Sequence, residues 1–263
     1  CFPRGNGGFQ TSSRDGLKPL NFIDLPPSDR IFWPNFGMFT GIVQEKGEIR
    51  ESTPAGKAVR FSFGAPVMAA KVKAGDSVCC DGVCLTVEQC DPLMGHFSVC
   101  AVPETLSKTT LSDWKVGRKV NLESALTLQT PLGGHFVMGH VDDVCDVVAA
   151  SDLPNGEGCE LTVRLPEEFL RYCVYKGSLT LSGVSLTIAA VDGDLLRFAL
   201  IPHTLQETTF ASLKAGDRLN FEVDMLAKYV ERQLATGFRG HASLQPIPSF
   251  NESDLEKWGY GVS

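Results

Sequence analysis

The chain has 263 residues, enough for one large domain or two modest ones, and its 43% hydrophobic against 21% charged residues supplies a sizeable core and excludes disorder throughout. A formal net charge of −7 repels phosphate backbones and anionic headgroups, which argues against nucleic acid and membrane as partners; no apolar run is long enough for a bilayer span or a secretory signal. Nine cysteines, an odd number without the spacing of a small disulfide scaffold, fit a reducing compartment.

Residues 1–37 carry Gly5-Asn6-Gly7-Gly8, Thr11-Ser12-Ser13 and Pro26-Pro27 with no sustained period, and read as an N-terminal extension or targeting remnant. Its glycine cluster lacks a strand before it and a helix after it, so it is not a dinucleotide fingerprint. Beyond it the chain repeats itself. Gly82-Val83-Cys84-Leu85-Thr86-Val87 returns as Gly183-Val184-Ser185-Leu186-Thr187-Ile188, and Pro103-Glu104-Thr105-Leu106 with Thr109-Thr110 returns as Pro202-His203-Thr204-Leu205 with Thr208-Thr209. The match runs on to Asn121/Asn220 and Glu123/Glu222, and the change of offset falls in a turn, Cys90-Asp91-Pro92-Leu93-Met94-Gly95-His96 against the shorter Val191-Asp192-Gly193-Asp194.

Short runs rich in Val, Leu, Phe and Thr, punctuated by Gly, Asp or Pro, recur through both copies at residues 59–63, 77–87, 96–102, 160–165, 178–190 and 195–201. They predict an all-β chain of two similar β-barrels. Helix signals are few: a turn after each Pro-x-Thr-Leu, a start at Pro166, and residues 225–234, where Leu226, Tyr229 and Val230, with Gln233 at the edge, share one face suited to an oligomer contact. The expected organisation is extension 1–37, first barrel 38–134, second barrel 135–224, oligomerisation helix 225–236 and tail 237–263.

Cys84 and Ser185 stand at equivalent places, each two residues before a threonine on the same strand face; a half-buried strand facing a neighbour and a ligand cradle used twice both fit. His135 and His140, in Gly133-Gly134-His135-Phe136-Val137-Met138-Gly139-His140-Val141, are five apart, which does not suit a helical zinc pair; proton transfer and a histidine satisfied by a nearby carbonyl are the readings left. Alternation turns Cys79 and Cys80 to opposite faces and disfavours a metal thiolate site. Asp224 stands where the first copy has Ala125, at a strand end from which it can orient a histidine.

Met38-Phe39-Thr40-Gly41-Ile42-Val43, the Gly-Val-Cys-Leu-Thr and Gly-Val-Ser-Leu-Thr pair, the Gly-Gly-His-x-x-x-Gly-His-Val junction and the doubled Pro-x-Thr-Leu with Thr-Thr resemble the riboflavin synthase family of α-chain type over about residues 38–236. The resemblance implies two six-stranded Greek-key barrels that bind lumazine, a C-terminal helix serving a homotrimer, and an active site between barrels of neighbouring subunits. It implies a transferase that, without cofactor or metal, dismutates two molecules of 6,7-dimethyl-8-ribityllumazine into riboflavin and 5-amino-6-ribitylamino-2,4(1H,3H)-pyrimidinedione, the last step of riboflavin biosynthesis.

Carried over by motif, the first pocket takes Gly41, Ile42, Val43, Cys84, Leu85, Thr86, Cys100, Ala101, Val102, Pro103, Glu104 and Thr105. The second takes Gly139, His140, Val141, Lys176, Ser185, Leu186, Thr187, Ala199, Leu200, Ile201, Pro202, His203 and Thr204. The resemblance casts His140 as the proton-handling group, Ser185 with Thr187 as positioning or activating the attacking oxygen, Cys84 as a thiol near the other ring and Asp224 as an orienting carboxylate. Family chains usually open at the Met-Phe-Thr-Gly segment, whereas residues 1–37 precede it here; a plastid form accounts for such an arm, cytoplasm being the other placement. Three rivals are a non-catalytic lumazine- or flavin-binding protein, a flavin-dependent reductase and a purely structural double barrel. The second needs a nucleotide-binding α/β domain, for which residues 229–263 are too few; the third explains the repeat but not the asymmetric His, Ser, Cys and Asp.

Overall fold

A computed structural model describes residues 37–235; the expected tail and all but the last residue of the expected extension lie outside them. The first copy forms β1 (Glu45–Ala55), β2 (Ala58–Gly64), β3 (Ser77–Cys80), β4 (Val83–Asp91), β5 (His96–Ala101) and β6 (Lys119–Ser124). These close into an antiparallel barrel in the order β1-β2-β5-β4-β3-β6, so β2 pairs with β5 rather than its sequence neighbour β3, the Greek-key crossing. The second copy repeats this with β7 (Asp143–Asp152), β8 (Cys159–Arg164), β9 (Ser178–Leu181), β10 (Val184–Asp192), β11 (Leu195–Leu200) and β12 (Arg218–Val223). Register shifts fall at matching places, Ile49/Glu51 and Val87/Gln89 in one barrel and Val147/Ala149 and Ile188/Ala190 in the other. Bulges sharpen strand bend and twist, which helps a six-stranded sheet close.

Alternation fills each barrel. Phe61, Phe63, Phe97, Val99 and Leu122 are buried in the first, with Phe63 and Phe97 stacked at 5.0 Å; Leu161, Val163, Leu181, Leu196 and Phe198 fill the second. The short helices α1 (Pro66–Ala69), α2 (Pro103–Lys108) and α3 (Pro202–Glu207) each begin on proline, whose fixed φ and missing N–H suit a first turn. The expected helix at Pro166 is instead a 3₁₀ segment, Glu167–Tyr172. The last helix, α4 (Met225–Ala235), leaves Leu226, Tyr229, Val230 and Leu234 58–65% exposed. No helix among the described residues is long and apolar enough to cross a membrane.

The barrels meet through their repeated motifs. β3 and β4 are joined by Asp81 and Gly82 at φ 44° and 86°, β9 and β10 by Ser182 and Gly183 at φ 39° and 79°. These are two-residue hairpin turns with both central residues left-handed, the geometry that matches strand twist and calls for glycine. The two turns abut: a Cβ on Gly82 would lie 3.0 Å from the Gly183 nitrogen, and one on Gly183 would lie 2.9 Å from the Gly82 nitrogen.

Asn121 and Asn220 staple this seam reciprocally. The Asn121 side chain donates to the Ser182 carbonyl (2.9 Å) and accepts from the Thr209 N–H (2.8 Å); Asn220 donates to the Asp81 carbonyl (2.8 Å) and accepts from the Thr110 N–H (2.8 Å). The preceding Thr109 and Thr208 hydroxyls donate to Thr105 and Thr204 carbonyls at 2.7 Å, tying the 3₁₀ turns to α2 and α3. The repeated Thr-Thr is therefore largely a device for docking the barrels.

Candidate functional site

Two extended straps run along the seam. The first, residues 38–42, and the second, residues 136–140, bond to each other: Phe39 N–H donates to the Val137 carbonyl (2.7 Å) and Val137 N–H to the Phe39 carbonyl (3.1 Å). Phe39, Val137 and Cys79 are buried together beneath them. Each strap then crosses to the opposite barrel. Gly139 accepts from the Cys84 N–H on β4, and Gly41 from the Ser185 N–H on β10, both at 2.8 Å. Both glycines have positive φ, and a Cβ on Gly139 or Gly41 would sit 2.7 or 2.6 Å from the Cβ of Cys84 or Ser185. Only glycine permits that approach.

A groove of about 280 Å³ lies beside the Cys84 contact, lined by Val83, Cys84, Val102, Glu104, Thr105, Lys108, Thr109, Gly139, His140 and Val141. His140 is exposed. Burial holds the Cys84 thiol above its usual pKa, against a hydrogen bond with the Ser77 side chain, so Cys84 stays a neutral thiol near pH 7 rather than a reactive thiolate.

At the equivalent place on the second barrel, Ser185 Oγ is 2.7 Å from His135 Nδ1, and His135 Nε2 is 3.1 Å from Thr180 Oγ1. Burial lowers the His135 pKa while the Asp224 charge raises it, and the balance favours neutral imidazole at pH 7. A neutral ring has an acceptor nitrogen for a serine or water proton. Asp224 also accepts from the Leu226 N–H (2.9 Å), opening α4.

The sequence-predicted residues therefore regroup. Gly139, His140 and Val141, expected in the second barrel's pocket, border Cys84, Val102, Glu104 and Thr105 of the first; Gly41 joins Ser185 of the second rather than Cys84. The straps cross the seam, so each completes the wall of the other barrel. Cys84 and Thr86, and Ser185 and Thr187, share the outer face of their strands; Leu85, Ala101, Leu186 and Leu200 alternate into the barrel cores, leaving only their backbone to the site. Val102, Pro103, Glu104, Ile201, Pro202 and His203 are exposed where β5 and β11 lead into α2 and α3. Ile42 and Lys176 are exposed; Val43, Cys100 and Thr204 are partly buried, as is Asp224, and Ala199 is exposed on β11. Lys176 has a left-handed backbone (φ 65°), its ammonium 5.2 Å over the Tyr175 ring. A larger crevice, about 660 Å³, opens on the seam beside Asp81, Arg118 and Ser182, and no sequence-predicted site residue lines it.

Residues missed by sequence reasoning are Glu123, Glu222, Thr180 and the partnership of His135. Glu123 accepts from Thr40 N–H (2.7 Å), Thr40 Oγ1 (2.7 Å) and Gly41 N–H (2.9 Å); Glu222 accepts from Met138 N–H (2.7 Å) and His140 N–H (3.0 Å). The repeat displayed both glutamates, and their recurrence at equivalent places, Glu123 and Glu222, was the available signal.

A closed, duplicated Greek-key barrel, with one strap docked on β4 and its equivalent on β10, defines a double-barrel protein. The lumazine binding domain model matches it twice, over residues 40–125 and 138–224, and the chain belongs to that family. Among its relatives, the riboflavin synthase of Photobacterium phosphoreum is 40% identical over 200 residues, covering 75% of this chain and 89% of the relative. That of Schizosaccharomyces pombe is 39% identical over 199 residues, covering 74% and 93%. A crystal structure of LumP complexed with 6,7-dimethyl-8-(1'-D-ribityl) lumazine has the same fold, with a TM-score of 0.63 at 21% identity over 70% of this chain and 98% of that one.

Proposed function

We propose that the protein is a riboflavin synthase that dismutates two molecules of 6,7-dimethyl-8-ribityllumazine into riboflavin and 5-amino-6-ribitylamino-2,4(1H,3H)-pyrimidinedione. The observation that carries this reading is the pair of equivalent strap-and-strand sites with unequal chemistry: Cys84 with His140 on one, Ser185 with His135 on the other. A reaction between two identical substrates needs two similar cradles, and different roles for the two molecules need different groups in them. Relatives about 40% identical over most of the chain support the same activity.

One lumazine gives up a proton from its C7 methyl, and the other takes a nucleophile at C7; the four-carbon unit of the second then passes to the first. His140, exposed at the rim of the Cys84 groove, handles the proton. Ser185, with its hydroxyl held by neutral His135, positions or activates the attacking oxygen, and Thr187 lies on the same strand face. Asp224 steadies His135 electrostatically. Cys84 packs as a neutral thiol against the ring in its groove. The active assembly is a homotrimer; the exposed apolar residues of α4 support this, since burial against other copies would remove them from water.

Incubation with the lumazine as sole organic substrate, with neither metal nor nucleotide added, tests the reading. Riboflavin absorbance should rise. Tight lumazine binding without riboflavin would place the chain among binding proteins instead.

A further inference from the structure

Glu123 and Glu222 are 2% exposed, and neither touches the lumazine chemistry proposed above. Glu123 belongs to β6 of the first barrel, but the strap it grips at Thr40 and Gly41 ends on Ser185 of the second. Glu222 belongs to β12 of the second barrel, but the strap it grips at Met138 and His140 ends on Cys84 of the first. We propose that the two glutamates are crossed positioning residues, each fixing the strap that completes the ligand site on the opposite barrel. The ligand part rests on the proposed function; the crossing rests on the hydrogen bonds alone.

The clasps are unequal. Thr40 gives Glu123 a hydroxyl donor besides two amides, whereas the equivalent Met138 gives Glu222 none. Fewer donors compensate burial less well, and burial pushes Glu222 up to about 7, aided by the Asp142 charge and opposed by its two amide donors and Lys228. Cys79, Cys84 and His140 are the other titratable groups beside it. The strap carrying His140 is thus the softer of the two.

Hydrogen exchange on the whole chain reads each strap through one reporter amide, Cys84 N–H for the second and Ser185 N–H for the first. Glu222→Gln offers one carbonyl oxygen where two amides need acceptors, and should speed exchange at Cys84, Met138 and His140 by about tenfold while Ser185 stays within about twofold of wild type. Glu123→Gln should do the reverse. Met138→Thr adds the missing hydroxyl donor and should slow exchange at Cys84, a check that survives if a Gln variant fails to fold. With lumazine bound, protection should weaken at Cys84 in Glu222→Gln and at Ser185 in Glu123→Gln. Faster exchange confined to β12 and β7 in Glu222→Gln, or equal change at both reporters, would overturn the crossing. A wild-type chain that lumazine protects at neither site would defeat the ligand reading and leave the ligand-free exchange to decide the clasps.

Discussion

At single positions, the repeated Gly-Val-(Cys/Ser)-Leu-Thr motif divides its labour. Gly82 and Gly183 serve the hairpin turns and the close meeting of the barrels, and Cys84 and Ser185 hold the straps through their N–H groups. Gly82→Ala forces a side chain into a left-handed backbone against the Gly183 nitrogen, and should lower unfolding free energy by about 2 kcal/mol or more in urea titration. Burial raises the neighbouring Asp81 to about 6, with Arg118 opposing only in part. A folded pKa above the open-chain value means that this group's contribution is fully present below about pH 3.8 and lost as pH rises through about 6. Asp81→Asn keeps a residue tolerant of left-handed φ and an acceptor for the Asn121 amide, and should flatten the fall in stability across that window. An unchanged slope would assign it to other groups. His140→Ala should lower the rate of riboflavin formation by about 100-fold; an unchanged rate would remove the proton-handling role.

Among the elements, most strands were legible because apolar alternation and turn residues agree, and the offset change falls in the exposed β4–β5 turn, where Leu93 is 97% exposed. The crossing of the straps was not legible. Gly41 and Ser185 are far apart in sequence, and neither strap's local pattern encodes which barrel it meets. β6 and β12 were not singled out for a related reason: both of their faces are buried, one in the barrel and one on the seam, so Asn121, Glu123, Asn220 and Glu222 occupy positions that alternation assigns to solvent. His135 and His140 were both in view, but only the folded chain shows that His135 takes Ser185 and His140 the Cys84 groove. Asn121→Ala would strand the Ser182 carbonyl and the Thr209 N–H inside the seam, and should cost about 2–4 kcal/mol of stability in the same titration. Little change would mean that the hairpins alone dock the barrels.

For the whole molecule, duplication supplies the logic of the reaction. Two barrels of one topology, joined at their hairpins and braced by crossed straps, give each chain two related sites whose chemistry has diverged at Cys84/Ser185 and at Ile42/His140. Under the proposed dismutation, that divergence would make one substrate the donor and the other the acceptor. The exposed apolar face of α4 predicts that purified protein self-associates, sedimenting as a trimer if the proposed assembly holds, and that Leu226→Glu with Val230→Glu shifts it toward monomer. The most direct test is the carbon balance of turnover: lumazine consumed, riboflavin formed and pyrimidinedione released, quantified by chromatography from one reaction. One riboflavin and one pyrimidinedione for every two lumazines is the expected result; riboflavin without an equal amount of pyrimidinedione, or none at all, would contradict a dismutase built on paired sites.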